Sequence, residues 1–422
     1  MAARQSRRKG SVVTSIDAEA VTITTMSEAK EVFRSKEMRQ ALYDRGDVVM
    51  NGVLVNLHGE AHRDRRRLEN RLFRRETLQH YERDLFPRVI DCTLSPHVAS
   101  GHAELVSLGH ELMMNLAAVN AGIDRRSQTL AETARLYGYM MKFIEAATAL
   151  HHVGDWSEAS PQVVAALEAF DDEFLKPSIE RRRQAIEAAD VGRIAAEEVP
   201  LDVLSVLLRN EDQLHLPAEL IRREVAFFLL AGAHTSATAF TRTIDNILTW
   251  CEGHPEDVGR GVTDSSWVQR CVHETVRLSP SSPIAMRRAL ADVTLRTGRS
   301  IAVGEKVVID LVRINTDPSL FGDDAEAFNP RRELPDGVAP HGISFGHGAH
   351  ACIGEELAAG VVAGPGREAS EYEWGLVTVG VQAALARGVA RNPEDPPRMS
   401  TGTARPYWAA YPVVFASGMG GT

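Results

Sequence analysis

Phe345-Gly346-His347-Gly348-Ala349-His350-Ala351-Cys352-Ile353-Gly354 sets one cysteine in a frame of three glycines, with a phenylalanine at one end. Glycine admits backbone with positive φ and lets something flat and bulky come close. Ile353–Ala359 carries helical periodicity, so a helix from Cys352 or Ile353 is expected. A thiolate there would gain from free N–H groups and the positive end of the helix dipole. The same amides temper the electron donation of a ligating sulfur. A lone cysteine is by default an inert buried thiol. This glycine frame, with Phe345 and His350 beside it, turns the reading toward a ligand.

Outward from the loop, four further patterns carry chemistry. A long helix over Pro217–Trp250 holds Ala231-Gly232-Ala233-His234-Thr235-Ser236. Glycine inside a helix costs about 1 kcal/mol relative to alanine, so Gly232 asks for a reason. Thr235 can turn its hydroxyl to the carbonyl of Ala231 and open the helix locally, leaving a groove beside a proton donor. The plainer alternative is a small-residue packing face. Glu274-Thr275-Val276-Arg277 places a carboxylate and a guanidinium on one helix face, a pairing that surface helices also carry. His62-x-x-x-Arg66 puts two donors four apart on one face, inside a run that also holds Arg63, Arg65, Arg67, Arg71, Arg74 and Arg75. That run is a solvated basic face or a dock for an acidic partner. Arg287-Arg288 precedes Ala289-Leu290-Ala291-Asp292-Val293.

These stretches resemble the cytochrome P450 family. The loop matches Phe-Gly-x-Gly-x-His/Arg-x-Cys-x-Gly at every fixed place. The resemblance implies haem b (iron protoporphyrin IX), with Cys352 as ligand to the metal, Phe345 packed under the ring, Gly354 closing the loop and His350 at a propionate. It also assigns His62, Arg66 and Arg287 to propionates, with Arg288 as an alternative. Glu274 and Arg277 match the family's ExxR, and Phe328-Asn329-Pro330-Arg331-Arg332 resembles its meander, implying a structural cluster of Glu274, Arg277 and Arg332. Residues 231–236 resemble Ala/Gly-Gly-x-Asp/Glu-Thr-Thr/Ser, implying a catalytic group of Gly232, His234 and Thr235, with Thr235 delivering protons to bound dioxygen. His234 stands at the usual acidic place, as in sterol 14-demethylases, and is expected to help supply those protons. Asn315-Thr316-Asp317-Pro318 replaces the commoner Asn-Arg-Asp-Pro.

The fold implied is mainly α with small β-sheets, a helical prism around a buried haem. One catalytic domain is expected over residues 17–415, between a basic disordered tail at 1–16 and a flexible one at 416–422. The region before Ser27 is short for the family. Gly360, Gly364, Pro365 and Gly366 interrupt the helix after Leu357, as an inserted loop would. Periodicity predicts helices over 27–34, from Glu60 through the arginine run, and over 82–98, 110–121, 128–150, 161–189 and 265–278. Strands are expected at 21–25, 293–297, 301–303 and 306–311, with a returning strand near 406–415. Pocket walls are expected from 41–57, 229–235 and 282–285.

The chain has 422 residues and a net charge of −10, which argues against general nucleic-acid affinity. Its apolar runs are too short for a membrane helix, and Cys92, Cys251, Cys271 and Cys352 form no CxxC pair, so a reducing, cytoplasmic setting is expected. The function implied is O2-dependent monooxygenation of a small apolar substrate. No strand-GxGxxG-helix unit for flavin or nicotinamide is present, so electrons are expected from a ferredoxin and its NAD(P)H-dependent ferredoxin reductase. Two rivals stand beside this: a peroxide-driven or redox-neutral haem-thiolate enzyme, and a non-catalytic haem-binding sensor or carrier.

Overall fold

The computed structural model describes residues 20–127, 129–151, 155–361, 373–401, 403 and 406–416. The expected tail at 1–16 and most of the inserted loop lie outside these residues. Of the expected tail at 416–422 only Ala416 is described, its N–H donating to the Gly388 carbonyl at 3.2 Å.

Twelve helices organise the description: α1 (Met26–Arg34), α2 (Gly59–Glu69), α3 (Phe86–Ser100), α4 (Leu105–Ala121), α5 (Leu130–Ala147), α6 (Trp156–Phe170), α7 (Lys176–Asp190), α8 (Val203–Arg209), α9 (Ala218–Gly253), α10 (Ser265–Leu278), α11 (Glu355–Ala359) and α12 (Leu376–Ala386). The longest, α9, has 36 residues, with Pro217 extended at its start and His254 non-helical at its end. It forms the spine of the largest apolar cluster, with α4, α10 and α12 packed along it. Helix α4 begins where the Glu104 carboxylate accepts from the N–H groups of Val106 and Ser107, and it stops at Gly122, whose φ is +88°.

Strands are short. β1 (Val21–Ile23), β2 (Met38–Gln40), β4 (Ile284–Ala289) and β7 (Lys306–Asp310) form one sheet in the order β1-β7-β4-β2, with β1 parallel to β7 and the other pairs antiparallel. β3 (His102–Glu104) and β8 (Val389–Arg391) flank β11 (Pro412–Phe415). β5 (Val293–Thr294) pairs with β6 (Ser300–Ile301), and β9 (Arg398–Met399) with β10 (Trp408–Ala410).

Three of the expected elements differ in the structure. The helix from Glu60 does not run through the arginines: α2 ends at Glu69, and Arg74 is extended before a separate helix at Arg75–His80. The helix predicted over 161–189 is present, α6 and α7 running on through a wider π-type turn at Asp171–Leu175. β4 starts inside the segment expected as pocket wall and buries Ile284, Met286 and the adjacent Arg287 against the neighbouring elements. In the segment 41–57, Val49, Met50 and Val53 are fully buried in the core, and the Leu54 N–H donates to Glu224 at 2.9 Å.

Candidate functional site

The cysteine loop is closed by the Cys352 N–H, which donates to the Phe345 carbonyl at 2.8 Å. Gly346 and Gly348 both have φ of +72°. A Cβ on Gly348 would stand 2.7 Å from the Phe33 carbonyl oxygen, so the loop lies directly against the end of α1. Gly354 differs, with φ of −97° and no atom nearer than 3.7 Å to a Cβ built there. Two of the three framing glycines therefore answer to backbone need, and Gly354 does not. The helix expected from Cys352 or Ile353 starts later, at Glu355, and is only five residues long. The helix dipole expected at the sulfur is correspondingly reduced to local amides.

Burial pushes the Cys352 thiol up to about 11; the Gly354 amide and Arg66 oppose the rise and Glu355 adds to it. Cys352 is nonetheless exposed by surface area. Both hold at once when the sulfur faces a space inside the protein. A thiolate in that place needs a cation close by, which a metal would supply.

Beside the sulfur stands a group of bases. The rings of His62 and His350 lie 4.0 Å apart. Burial, with Arg66 and His58 near, lowers His62 to about 4, and its buried Nε2 meets no hydrogen-bond partner among the described residues. Burial first, then His62, Arg287, His58 and Arg66, lowers His350 to about 3. Arg66 donates to the Ala351 carbonyl at 2.9 Å. Arg287 is 3% exposed and is held to about 10 by burial. Its contacts are the Gln40 side chain at 2.8 Å, the Met286 carbonyl, and the face of Phe33 at 5.0 Å. Arg288 instead points outward to Gly304. Among the described residues no carboxylate pairs with Arg287, although unpaired buried charge is expensive. The buried Glu69 carboxyl acts on Arg66, but among the described residues no carboxylate pairs with His62, Arg287 or His350; such a group fits a ligand bearing carboxylates, and the accessible sulfur beside it fits the ligand's metal. The residues present fit haem.

Helix α9 offers a second surface. Thr235 is exposed while its neighbours Ala233, His234, Ser236 and Ala237 are buried. Its hydroxyl donates to the Ala231 carbonyl at 2.7 Å, the bond expected from the sequence. Gly232 faces α4, where a Cβ would meet the Ala117 side chain at 3.1 Å, so its small size serves close helix packing. A cavity of about 30 Å³ borders Gly232, and its lining holds no residue of the cysteine loop. His234 Nδ1 lies 3.2 Å from His110 Nε2, which also lies 3.1 Å from the Tyr407 hydroxyl.

Behind the loop, Glu274 makes two 2.6 Å bonds to Arg277 and accepts from Arg332 at 3.1 Å, with all three side chains at most 6% exposed. Arg277 continues to the Asn315 carbonyl at 2.6 Å, and the Asn315 amide holds the Ile343 N–H at 2.8 Å and Ser344 at 2.8 Å. Asn315 thus ties the ionic cluster to the start of the cysteine loop. Sequence reasoning noted Asn315 only as part of a variant motif, and it missed His110, Tyr407 and the buried Arg65–Glu224 pair at 2.6 Å. For His110, Arg65 and Glu224 the only signal was a polar residue at a core-facing helical position; Tyr407, outside any helix, gave none. The arginine run divides accordingly. Arg65 turns inward, Arg66 reaches the loop, and Arg63, Arg67, Arg71 and Arg74 stay exposed.

A helical fold with small sheets, and an accessible cysteine beside buried and half-buried bases, fits the class of haem-binding proteins. The family model of Cytochrome P450 matches residues 263–360. The bifunctional cytochrome P450/NADPH–P450 reductase 2 of Bacillus subtilis (strain 168) is 30% identical over 179 residues, 37% of this chain and 17% of that protein. Pulcherriminic acid synthase of the same organism is 25% identical over 337 residues, 78% of this chain and 75% of that one. The crystal structure of CYP109E1 from Bacillus megaterium in complex with testosterone superposes with a TM-score of 0.70 at 17% identity, covering 94% of each chain. The chain is similar to members of the cytochrome P450 family in sequence around the cysteine loop and in fold over nearly its whole length. Its alignments span 17–39% of the length of the first five curated relatives. Among the described residues no helix is long and apolar enough to cross a membrane.

Proposed function

We propose that the protein is a haem-thiolate monooxygenase that inserts one oxygen atom from O2 into a small apolar molecule. The observation that carries this is the accessible Cys352 sulfur set beside His62, Arg66, Arg287 and His350, of which, among the described residues, only Arg66 has a carboxyl, Glu69, acting on it. Cys352 would hold the metal, and the four bases would hold the carboxylates; arginine's planar fork suits a carboxylate's two oxygens. Bound there, haem supplies the oxidising chemistry, and a thiolate ligand favours cleavage of the O–O bond.

The protein's own part is orientation and proton control. Thr235 presents the only side chain of 233–237 that is exposed, in the middle of α9, and its hydroxyl holds a proton at the Ala231 carbonyl, ready to be redirected. The Glu274–Arg277–Arg332 cluster keeps the loop in register through Asn315. The exposed arginines of α2 and the turn after it would steer an acidic electron carrier such as a ferredoxin, itself reduced by an NAD(P)H-dependent reductase. Steroid, terpenoid and natural-product substrates are the classes we favour. The testosterone complex of one structural neighbour and the pulcherriminic acid made by one relative support that choice.

Purified protein loaded with haem should give the red-shifted reduced carbon monoxide spectrum of sulfur ligation, and Cys352→Ser should not. Thr235→Ala should form much less product per electron pair with the spectrum intact. A wild-type spectrum without the red shift overturns the assignment, and full coupling in Thr235→Ala overturns the role of the hydroxyl.

A further inference from the structure

At the contact between α9 and α4, His234 and His110 meet Tyr407 of the C-terminal segment, and neither His110 nor Tyr407 has a part in the proposed reaction. His110, on α4, is 2% exposed. Its Nδ1 lies 2.9 Å from the Val106 carbonyl, which can only accept, so that nitrogen keeps its hydrogen in both charge states. Gain or loss of a proton is confined to Nε2. Two neighbours converge on that one atom: His234 Nδ1 at 3.2 Å and the Tyr407 hydroxyl at 3.1 Å. The His110 and His234 rings are stacked, with centroids 5.5 Å apart and planes at 18°. Other titratable groups facing His110 are Tyr137 on α5, edge-on at 6.4 Å, and Glu104 at the N-cap of α4. Burial holds His110 below the ordinary histidine range, while Val106 and Glu104 pull upward.

One lone pair on Nε2 admits one donor at a time. When Tyr407 donates, His234 does not donate to that atom from its Nδ1. When His234 donates from Nδ1, its basic nitrogen is Nε2. We propose that His110 is a positioning residue that, with Tyr407, sets which nitrogen of His234 carries hydrogen and returns a proton to it. A proton taken up at His110 Nε2 passes to His234 Nδ1; one positive charge moves one ring over, and His110 goes back to its neutral form with Nδ1–H unchanged. This rests on the reading that His234 supplies protons beside Thr235, and it extends that supply away from α9 to groups on α4 and the C-terminal segment.

The test uses haem-loaded protein, reduced and bound to carbon monoxide so that the metal is diamagnetic, with ¹⁵N-labelled histidine. Wild type is compared with Tyr407→Phe, which removes only a hydroxyl, and with His110→Gln. In wild type His234 and His110 are expected to titrate as a coupled pair. Tyr407→Phe should shift the His234 Nδ1 resonance toward the hydrogen-bearing form, because His234 is then the sole donor to His110. His110→Gln should move the His234 titration by about one pH unit or more. Product per electron pair should fall ~10-fold in His110→Gln with KM within about twofold. If His110→Gln fails to fold, the Tyr407→Phe resonances carry the test. Unchanged His234 resonances and titration in the folded variants overturn the proposal. The reduced carbon monoxide spectrum separates the two readings. Without sulfur ligation in wild type the enzyme reading fails, whereas a normal spectrum with silent variants sinks the His110 relay alone.

Discussion

Gly348 and Gly354 flank the same cysteine, yet the backbone asks different things of them. At Gly348 a methyl group meets both a left-handed φ and the Phe33 carbonyl at 2.7 Å, a backbone atom that cannot swing aside. Gly348→Ala is therefore expected to destabilise by about 1–3 kcal/mol and to lower haem retention. Gly354→Ala, with ordinary φ and its nearest neighbour at 3.7 Å, should stay within ~0.5 kcal/mol. Thermal midpoints of the two variants decide it; equal losses would refute the distinction. Glu274 is a harsher case, because its removal leaves Arg277, fully buried, and Arg332 facing each other. Glu274→Ala should cost about 3–5 kcal/mol and abolish haem incorporation, and a variant that keeps its haem spectrum would refute this. At this scale the sequence was informative wherever a residue's chemistry is local. The Thr235 hydroxyl bond and the Glu274–Arg277–Arg332 cluster formed as read. Gly232, expected in the catalytic group, instead meets Ala117, a partner 115 positions away that no local pattern reveals.

Among the elements, helices with uninterrupted periodicity matched best: α9 and α10 lie within three residues of their predicted ends. What pattern could not supply was tertiary context. β4 went unread because Arg287-Arg288 looks like surface, whereas the strand buries Arg287 beside Gln40 and Phe33. The helix after the cysteine shows the same dependence. It is split into α11 and α12, and the ends of the break are pinned: the Val361 N–H donates to the Glu373 carbonyl at 2.9 Å. Gly360 and Gly375, both with positive φ, let the two chains cross where a Cβ on Gly375 would stand 2.3 Å from the Gly360 nitrogen. The Gln269 amide, reaching from α10, lies 3.2–3.4 Å from the carbonyls of Ala359, Val361, Glu373 and Trp374. Two hydrogens serve four acceptors, so the amide holds the crossing from either pair. Gln269→Leu should cost about 1–3 kcal/mol by removing the amide that bridges those carbonyls, with faster hydrogen exchange in α11. Unchanged exchange there would mean that the glycine crossing holds without the clamp.

Over the whole molecule, buried titrating groups pull stability in opposite directions with pH. His62 is lowered from 6.5 to about 4 in the folded protein, so between those values the unfolded chain binds more proton. Its contribution is complete above pH 6.5 and is lost as pH falls toward 4, on the order of 3 kcal/mol at most. Glu224 has the opposite sign. Burial raises it from 4.5 to about 7, the folded protein binds more proton in that interval, and stability is lost as pH rises. The two offset each other in any total curve, so a flat profile would say nothing about either. A difference isolates the histidine. Without haem, wild type should lose stability relative to His62→Phe between pH 6.5 and 4.5, since the variant carries no group to protonate there. With haem bound, carboxylates beside His62 would favour its charged form and raise its pKa, shrinking that relative loss. Denaturation midpoints of both proteins, with and without haem at pH 7 and 4.5, give the comparison. Parallel curves without haem would rule out a buried neutral His62. An equal relative loss with and without haem would rule out carboxylates at its unpartnered Nε2.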